Sequence, residues 1–137
     1  MRRRTFLLAS ATTVLLADTN QELVDLFGGM AGALSEGNAQ AFLRAVDPSM
    51  PGYGKFAAAV AGLIGQNELG SSIEITKQYD DKTQTVELDW LLEIKGPLQT
   101  VRRQATVKCK VERRNKKWRV VDISPHDFFA PIHPEKP

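Results

Sequence analysis

Leu23, Leu26, Phe27, Met30, Ala33 and Leu34 recur at helical spacing, and Gly37 closes the stripe. Thr19 and Glu22 read as a capping box, so the spacing predicts a first helix over 19–37. Gly28, Gly29 and Gly32 each cost such a helix up to about 1 kcal/mol against Ala, so tertiary packing must hold it. Asn38 can cap a second, short helix with Ala39, Phe42, Leu43 and Val46 on one stripe, ended by Asp47-Pro48. A third helix follows the Pro51-Gly52 turn, with Tyr53, Phe56, Val60, Leu63 and Ile64 on its buried side.

The period then changes from helical to alternating. From Ser72, Ile73 and Ile75 lie on one face and Glu74 and Thr76 on the other, until the turn at Asp80-Asp81-Lys82. A second strand points Val86, Leu88, Trp90, Leu92 and Ile94 one way and Thr85, Glu87, Asp89, Glu93 and Lys95 the other. Gly96-Pro97 turns it into a third, with Val101, Ala105, Val107, Cys109 and Val111 inward. A turn around Asn115 leads to a fourth strand over 118–124, and Pro125, Pro131, Pro134 and Pro137 then predict an irregular tail. The pattern is an α+β fold: three N-terminal helices packed on the concave face of a curved four-stranded antiparallel sheet.

The first 17 residues read differently. Arg2-Arg3-Arg4 precedes two apolar clusters, Phe6-Leu7-Leu8-Ala9 and Val14-Leu15-Leu16-Ala17, too short for a membrane span and suited to an export signal. Arg3-Arg4-Thr5-Phe6-Leu7 resembles the twin-arginine export motif, and a general secretion signal shares the layout. Cleavage after Ala17 would put Leu15 where a small residue is preferred, which leaves retention as an N-terminal anchor as the alternative. The expected organisation is an export signal over 1–17, one domain over 18–124 and a Pro-rich tail over 125–137. Subtracting the signal and its three arginines leaves about 120 residues and turns a net charge of +2 into about −1. Such a chain buries roughly two thirds of its unfolded surface without staples. Its single cysteine, Cys109, excludes an intrachain disulfide and reads as a buried apolar residue.

The order of elements, Phe42-Leu43 through Asp47-Pro48 to Pro51-Gly52-Tyr53, the Asp89-Trp90 strand, and Lys117-Trp118-Arg119-Val120-Val121-Asp122 followed by Phe128-Phe129 resemble the nuclear transport factor 2-like superfamily over 19–129. The resemblance implies a cone-shaped fold. It also implies a place for chemistry, since superfamily enzymes such as ketosteroid isomerase, scytalone dehydratase and the polyketide cyclases do acid–base work at the cone's apolar floor.

Residues 95–119 hold ten Lys and Arg against one acid, Glu112, whereas residues 18–94 hold four against twelve acids. An even turn at Gly96-Pro97 would set Trp90 opposite Arg103, Leu88 opposite Ala105 and Val86 opposite Val107. Asp89 would then lie beside Gln104 and Glu87 beside Thr106, with Arg102 and Lys108 on the diagonals. The basic block is thereby partly neutralised and nucleic acid is not an expected partner. Arg113, Arg114, Lys116 and Lys117 remain unpaired at a hairpin tip that could attach to anionic surfaces. Arg103 interrupts an apolar face. Either a bulge rotates it into water, or it lies on the Trp90 indole and anchors an anionic ligand inside the cone, in which case Arg103→Leu abolishes binding and spares stability.

The candidate catalytic residues are Asp47, which an Asx turn also explains, and Asp122, which faces inward beside Cys109 if the last hairpin loop is even. An odd loop turns Val121 and Ile123 inward instead. Tyr53, Trp90 and Arg103 are the candidate pocket residues. Leu91, with Val121 or Ile123 on the outer sheet face and with Phe128 and Phe129, would dock a second subunit; alternatively the Phe pair plugs its own cone. His126 and His133 lie without metal-ligand spacing, the Gly28-Gly29-Met30-Ala31-Gly32 run follows no strand, and neither a metal nor a cofactor is expected. The expectation is an exported, non-catalytic module that binds a small apolar or anionic ligand or assembles as a homodimer. A cavity isomerase, dehydratase, cyclase or hydrolase using a buried carboxylate is the alternative.

Overall fold

The computed structural model describes residues 2–132, with side chains from Thr19 onward. Three helices, α1 (Arg2–Glu36), α2 (Ala39–Arg44) and α3 (Tyr53–Gln66), precede four strands, β1 (Glu68–Asp80), β2 (Thr85–Lys95), β3 (Thr100–Arg114) and β4 (Lys117–Ser124). A 3-10 turn, His126–Phe129, follows. The side chains of the export segment expected over 1–17, and His133, Pro134 and Pro137 of the tail, lie outside the described residues.

Helix α1 extends the expected first helix toward the N-terminus without a break. The Leu- and Ala-rich stretch before Thr19 continues the helical backbone, so the N–H groups that a Thr19 cap would satisfy already have partners. Glu22 is thereby free to reach elsewhere. At the other end, Gly37 takes φ 73°, and Asn38 N donates to Ala33 O at 2.8 Å, closing a Schellman-type stop. Asn38 then starts α2, its Oδ1 accepting from Ala41 N at 3.0 Å, as its position in the sequence predicts.

The sheet is a meander in the order β1-β2-β3-β4, all neighbours antiparallel. Its second hairpin departs from the expected register. The connection is not a two-residue turn at Gly96-Pro97 but the four residues 96–99, closed by Gly96 N donating to Gln99 O at 2.8 Å. Trp90 therefore faces Ala105, Leu88 faces Val107, Val86 faces Cys109, and Arg103 faces Leu92. Both loops are even, so every side chain keeps its predicted face while its partner moves by two residues. On the outer face Glu87 sits directly opposite Lys108 and Glu93 opposite Arg102, and Gln104 Nε2 donates to Asp89 at 3.0 Å.

The third hairpin turns on Asn115 and Lys116, with φ 52° and 67°, the two-residue geometry that matches strand twist. An even loop alone would turn Asp122 inward. A bulge prevents it: Val111 pairs with Val120 but Lys110 with Asp122, leaving Val121 as the extra residue. Val120 and Ile123 consequently face the core at 0% and 1% exposure, and Asp122 faces solvent.

The core lies between the helices and the concave sheet face. Leu23, Phe27, Met30 and Leu34 of α1, Phe42 of α2, and Phe56, Val60 and Leu63 of α3 pack over the inward residues of β2 and of the second half of β3. Burying each such side chain fully is worth about 1.5–3 kcal/mol. A parallel bridge, Val46 with Val120, joins the end of α2 to the free edge of β4. Asp47 N donates to Val120 O and Val120 N to Ala45 O, each at 2.8 Å. The tail is not irregular throughout, because the 3-10 turn folds Phe128 and Phe129 back into the open end of the cone.

Candidate functional site

Four aromatic rings meet in the middle of the cone. Phe129 lies 5.1 Å from Trp90, 5.5 Å from Phe42 and 5.8 Å from Phe56 between ring centroids, with edge-on approaches to Trp90 and Phe56. Trp90 is fully buried, and its indole N–H donates to Ser71 Oγ at 2.9 Å. Trp90 is therefore a core residue whose polar atom is satisfied by its own sheet, and no ligand is needed to complete it.

Arg103 neither stacks on Trp90 nor swings out on a bulge. Its Nη1 donates to the carbonyls of Phe128 and Ala130 at 2.9 and 2.6 Å, and its Nη2 to that of Pro131 at 3.4 Å. Half-buried, it straps the returning tail across the mouth of the cone. Burial lowers its pKa and the nearby Asp127 opposes that, but a guanidinium keeps its charge at any physiological pH. Tyr53 is elsewhere, half-buried at the start of α3, where it helps line an outer groove. The three expected pocket residues thus occupy three different settings: a packed core, a strap and a surface groove.

Asp47 is buried, and its carboxylate is fully engaged. Oδ1 accepts from Ser49 N at 2.9 Å in the Asx turn expected of Asp-Pro-Ser, and Oδ2 accepts from Arg114 Nη1 at 3.0 Å. The Ser49 hydrogen bonds, aided by Arg114 and Arg119, hold its pKa below 3.8 against the opposing effect of burial. A general acid or base working near neutrality needs the opposite shift. Because the native carboxyl is the more acidic, it stabilises the fold above pH 3.8, and that contribution disappears as the pH falls through its lowered native value. Asp47→Asn is expected to weaken the protein at neutral pH, with the difference from the parent closing in acid; denaturant titrations across that range check it. Asp122, turned outward by the bulge, lines a shallow surface groove with Thr85, Lys108, Lys110 and Ser124, outside the core. The Cys109 thiol, which does face inward, has its pKa pushed up by burial and by Asp122, so it stays protonated and unreactive.

The basic hairpin tip is less free than its sequence suggests. Arg113 pairs with Glu22 of α1 and lies 5.0 Å over the Trp118 ring, while Trp118 Nε1 donates to the same Glu22 carboxylate at 2.8 Å. Arg114 bridges Asp47 and, at 2.8 Å, Glu112. Lys116 and Lys117 alone of the four have no ion pair among the described residues. Of the residues expected to dock a second subunit, Ile123, Phe128 and Phe129 are at most 6% exposed and unavailable to one, the first because of the bulge and the other two because of the turn. Leu91 and Val121 remain half-buried on the outer side of the sheet.

Neither a family model nor a curated protein matches this chain by sequence. Solved structures do. A candidate scytalone dehydratase from Novosphingobium aromaticivorans superimposes with a TM-score of 0.66 at 11% identity, over 82% of this chain and 85% of that one. A candidate polyketide cyclase from Xanthomonas campestris gives 0.58 at 14% identity, over 76% and 88%. An NTF-2 like protein of unknown function from Shewanella oneidensis gives 0.54 at 15% identity, over 77% and 96%. The chain has the nuclear transport factor 2-like fold. Within that fold, the returning 3-10 turn places Phe129 in the middle of the cone and Arg103 at its mouth. No sequence pattern announces the strap, because its acceptors are backbone carbonyls, which every residue carries.

Proposed function

We propose that this chain is an exported, non-catalytic module that binds a small ligand or a second copy of itself. The observation that carries the reading is the filled cone, whose centre is occupied by the chain's own Phe129 against Phe42, Phe56 and Trp90. The dehydratase and cyclase named among its structural neighbours suggest cavity chemistry by analogy of fold. Against that analogy, Asp47 is committed to Ser49 and Arg114, and Asp122 points to solvent.

Self-association has its own support on the outer sheet face. An acidic row on β2, Glu87, Asp89 and Glu93, runs beside a basic row on β3, Arg102, Lys108 and Lys110, with Leu91 and Val121 as apolar contacts. None of the cross-strand pairs closes to an ion pair among the described residues, so both rows are available to a two-fold partner. Native mass spectrometry of the protein purified from its own cell envelope tests the reading. A dimer, or a monomer with a copurified small molecule, beginning at Asp18, supports it. A ligand-free monomer that retains Met1 and turns over an added substrate would sink it.

A further inference from the structure

We propose that the groove between α2, the start of α3 and β4 is a binding site for a small carboxylate with an apolar body, gripped by Arg44 and Arg119. The groove, about 520 Å³, is lined by Gln40, Leu43, Arg44, Val46, Pro48, Tyr53 and Arg119. That volume lies within the range of small-molecule sites. Its walls divide by chemistry: Leu43, Val46 and Pro48 supply apolar surface, and Gln40 and Tyr53 supply neutral polar groups. The two arginines supply charge, and no acidic side chain lines the groove.

The bridge between Val46 and Val120 brings the arginines to one place, since Arg44 lies two residues before Val46 and Arg119 one before Val120. The backbone bonds of that bridge, at 2.8 Å, fix the two chain segments in register. Neither guanidinium makes a side-chain hydrogen bond or ion pair among the described residues, although Arg119 is half-buried. Two carboxylates lie near by, and both are held by Arg114: Asp47 spends Oδ1 on Ser49 and Oδ2 on Arg114, and Glu112, opposite Arg119 across the hairpin, accepts from Arg114 through Oε1. The setting is thus a concave surface with excess positive charge, donors in the fork geometry that matches a carboxylate, and an apolar bed for the rest of the molecule. The groove lies outside the cone, so its occupancy is tested separately from the role of the cone.

Titration of the full chain with phenylbutyrate, followed by NMR shifts, tests the site. Saturable binding is expected, with shifts centred on Tyr53 and residues 44–46 and 118–120. Arg44→Gln and Arg119→Gln are each expected to weaken it about tenfold or more, the loss of a charge-assisted pair. Arg119→Lys, which keeps the charge without the fork, should recover only part of the loss. The double substitution Lys116→Gln, Lys117→Gln should leave binding unchanged, and thermal melts of every variant identify any loss due to misfolding, with Arg44→Gln, on an exposed side chain, as the variant least exposed to that risk. Equal binding of phenylbutyramide would overturn the role of charge. Equal binding of inorganic phosphate would overturn the apolar body, and no saturable binding of phenylbutyrate would overturn the site.

Discussion

Phe129→Ala is expected to lower the unfolding free energy by about 3–5 kcal/mol, a large share of what a domain of this size has. The ring is 0% exposed and touches Phe42, Phe56, Trp90 and Phe128, three of them with edge-on geometry that adds to simple burial. Its removal leaves a void lined by large rings, which are anchored in two helices and a strand and can collapse only partly. Phe128, which contacts the cluster through Phe129, should cost less when truncated. Urea denaturation of both variants is the measurement. A loss below about 1 kcal/mol for Phe129→Ala would mean that the ring does not fill the cone, and the non-catalytic reading would lose its main support.

Arg103→Leu is expected to cost about 1.5–3 kcal/mol and to release the tail. Two of the guanidinium's three hydrogen bonds are short, at 2.6 and 2.9 Å, and the third, at 3.4 Å, adds little. Leucine would sit well beside the apolar face but leaves the carbonyls of Phe128 and Ala130 without their donor. Limited proteolysis should then cut near Phe128-Phe129 at a rate the parent chain does not show, because cleavage follows the population of the opened tail. This outcome reverses the expectation from sequence, in which the same substitution spares stability and abolishes binding. Full stability with an uncut tail would restore the ligand-anchor role.

The difference between those two expectations shows what pattern can and cannot carry. Alternation along 85–95 and 101–111 was enough to assign faces, since side chains on a strand alternate whatever the partner. It was not enough to assign partners: a loop of four residues instead of two moved Arg103 from Trp90 to Leu92. A single bulged residue, Val121, exchanged the places of Asp122 and Ile123, and with them one candidate acid and one candidate interface residue. Asp47 was legible as an Asx turn because Ser49 is local, whereas its second partner, Arg114, is 67 positions away. Glu22 likewise read as a local cap, and its actual partners, Arg113 and Trp118, are at the end of β3 and on β4.

From the order of its amino acids alone, this chain determined three helices before four strands, the face each residue of β2 and β3 shows, the Gly37-Asn38 junction and the superfamily it resembles. These follow from short-range sterics and from periodicity, which act within a few residues. Tertiary structure decided the register, the bulge, the return of Phe129 into the cone, the Arg103 strap and the meeting of Arg44 with Arg119. Each of those depends on loop closure or on a backbone contact between distant segments, and a one-residue change in either redirects a side chain without altering any local pattern.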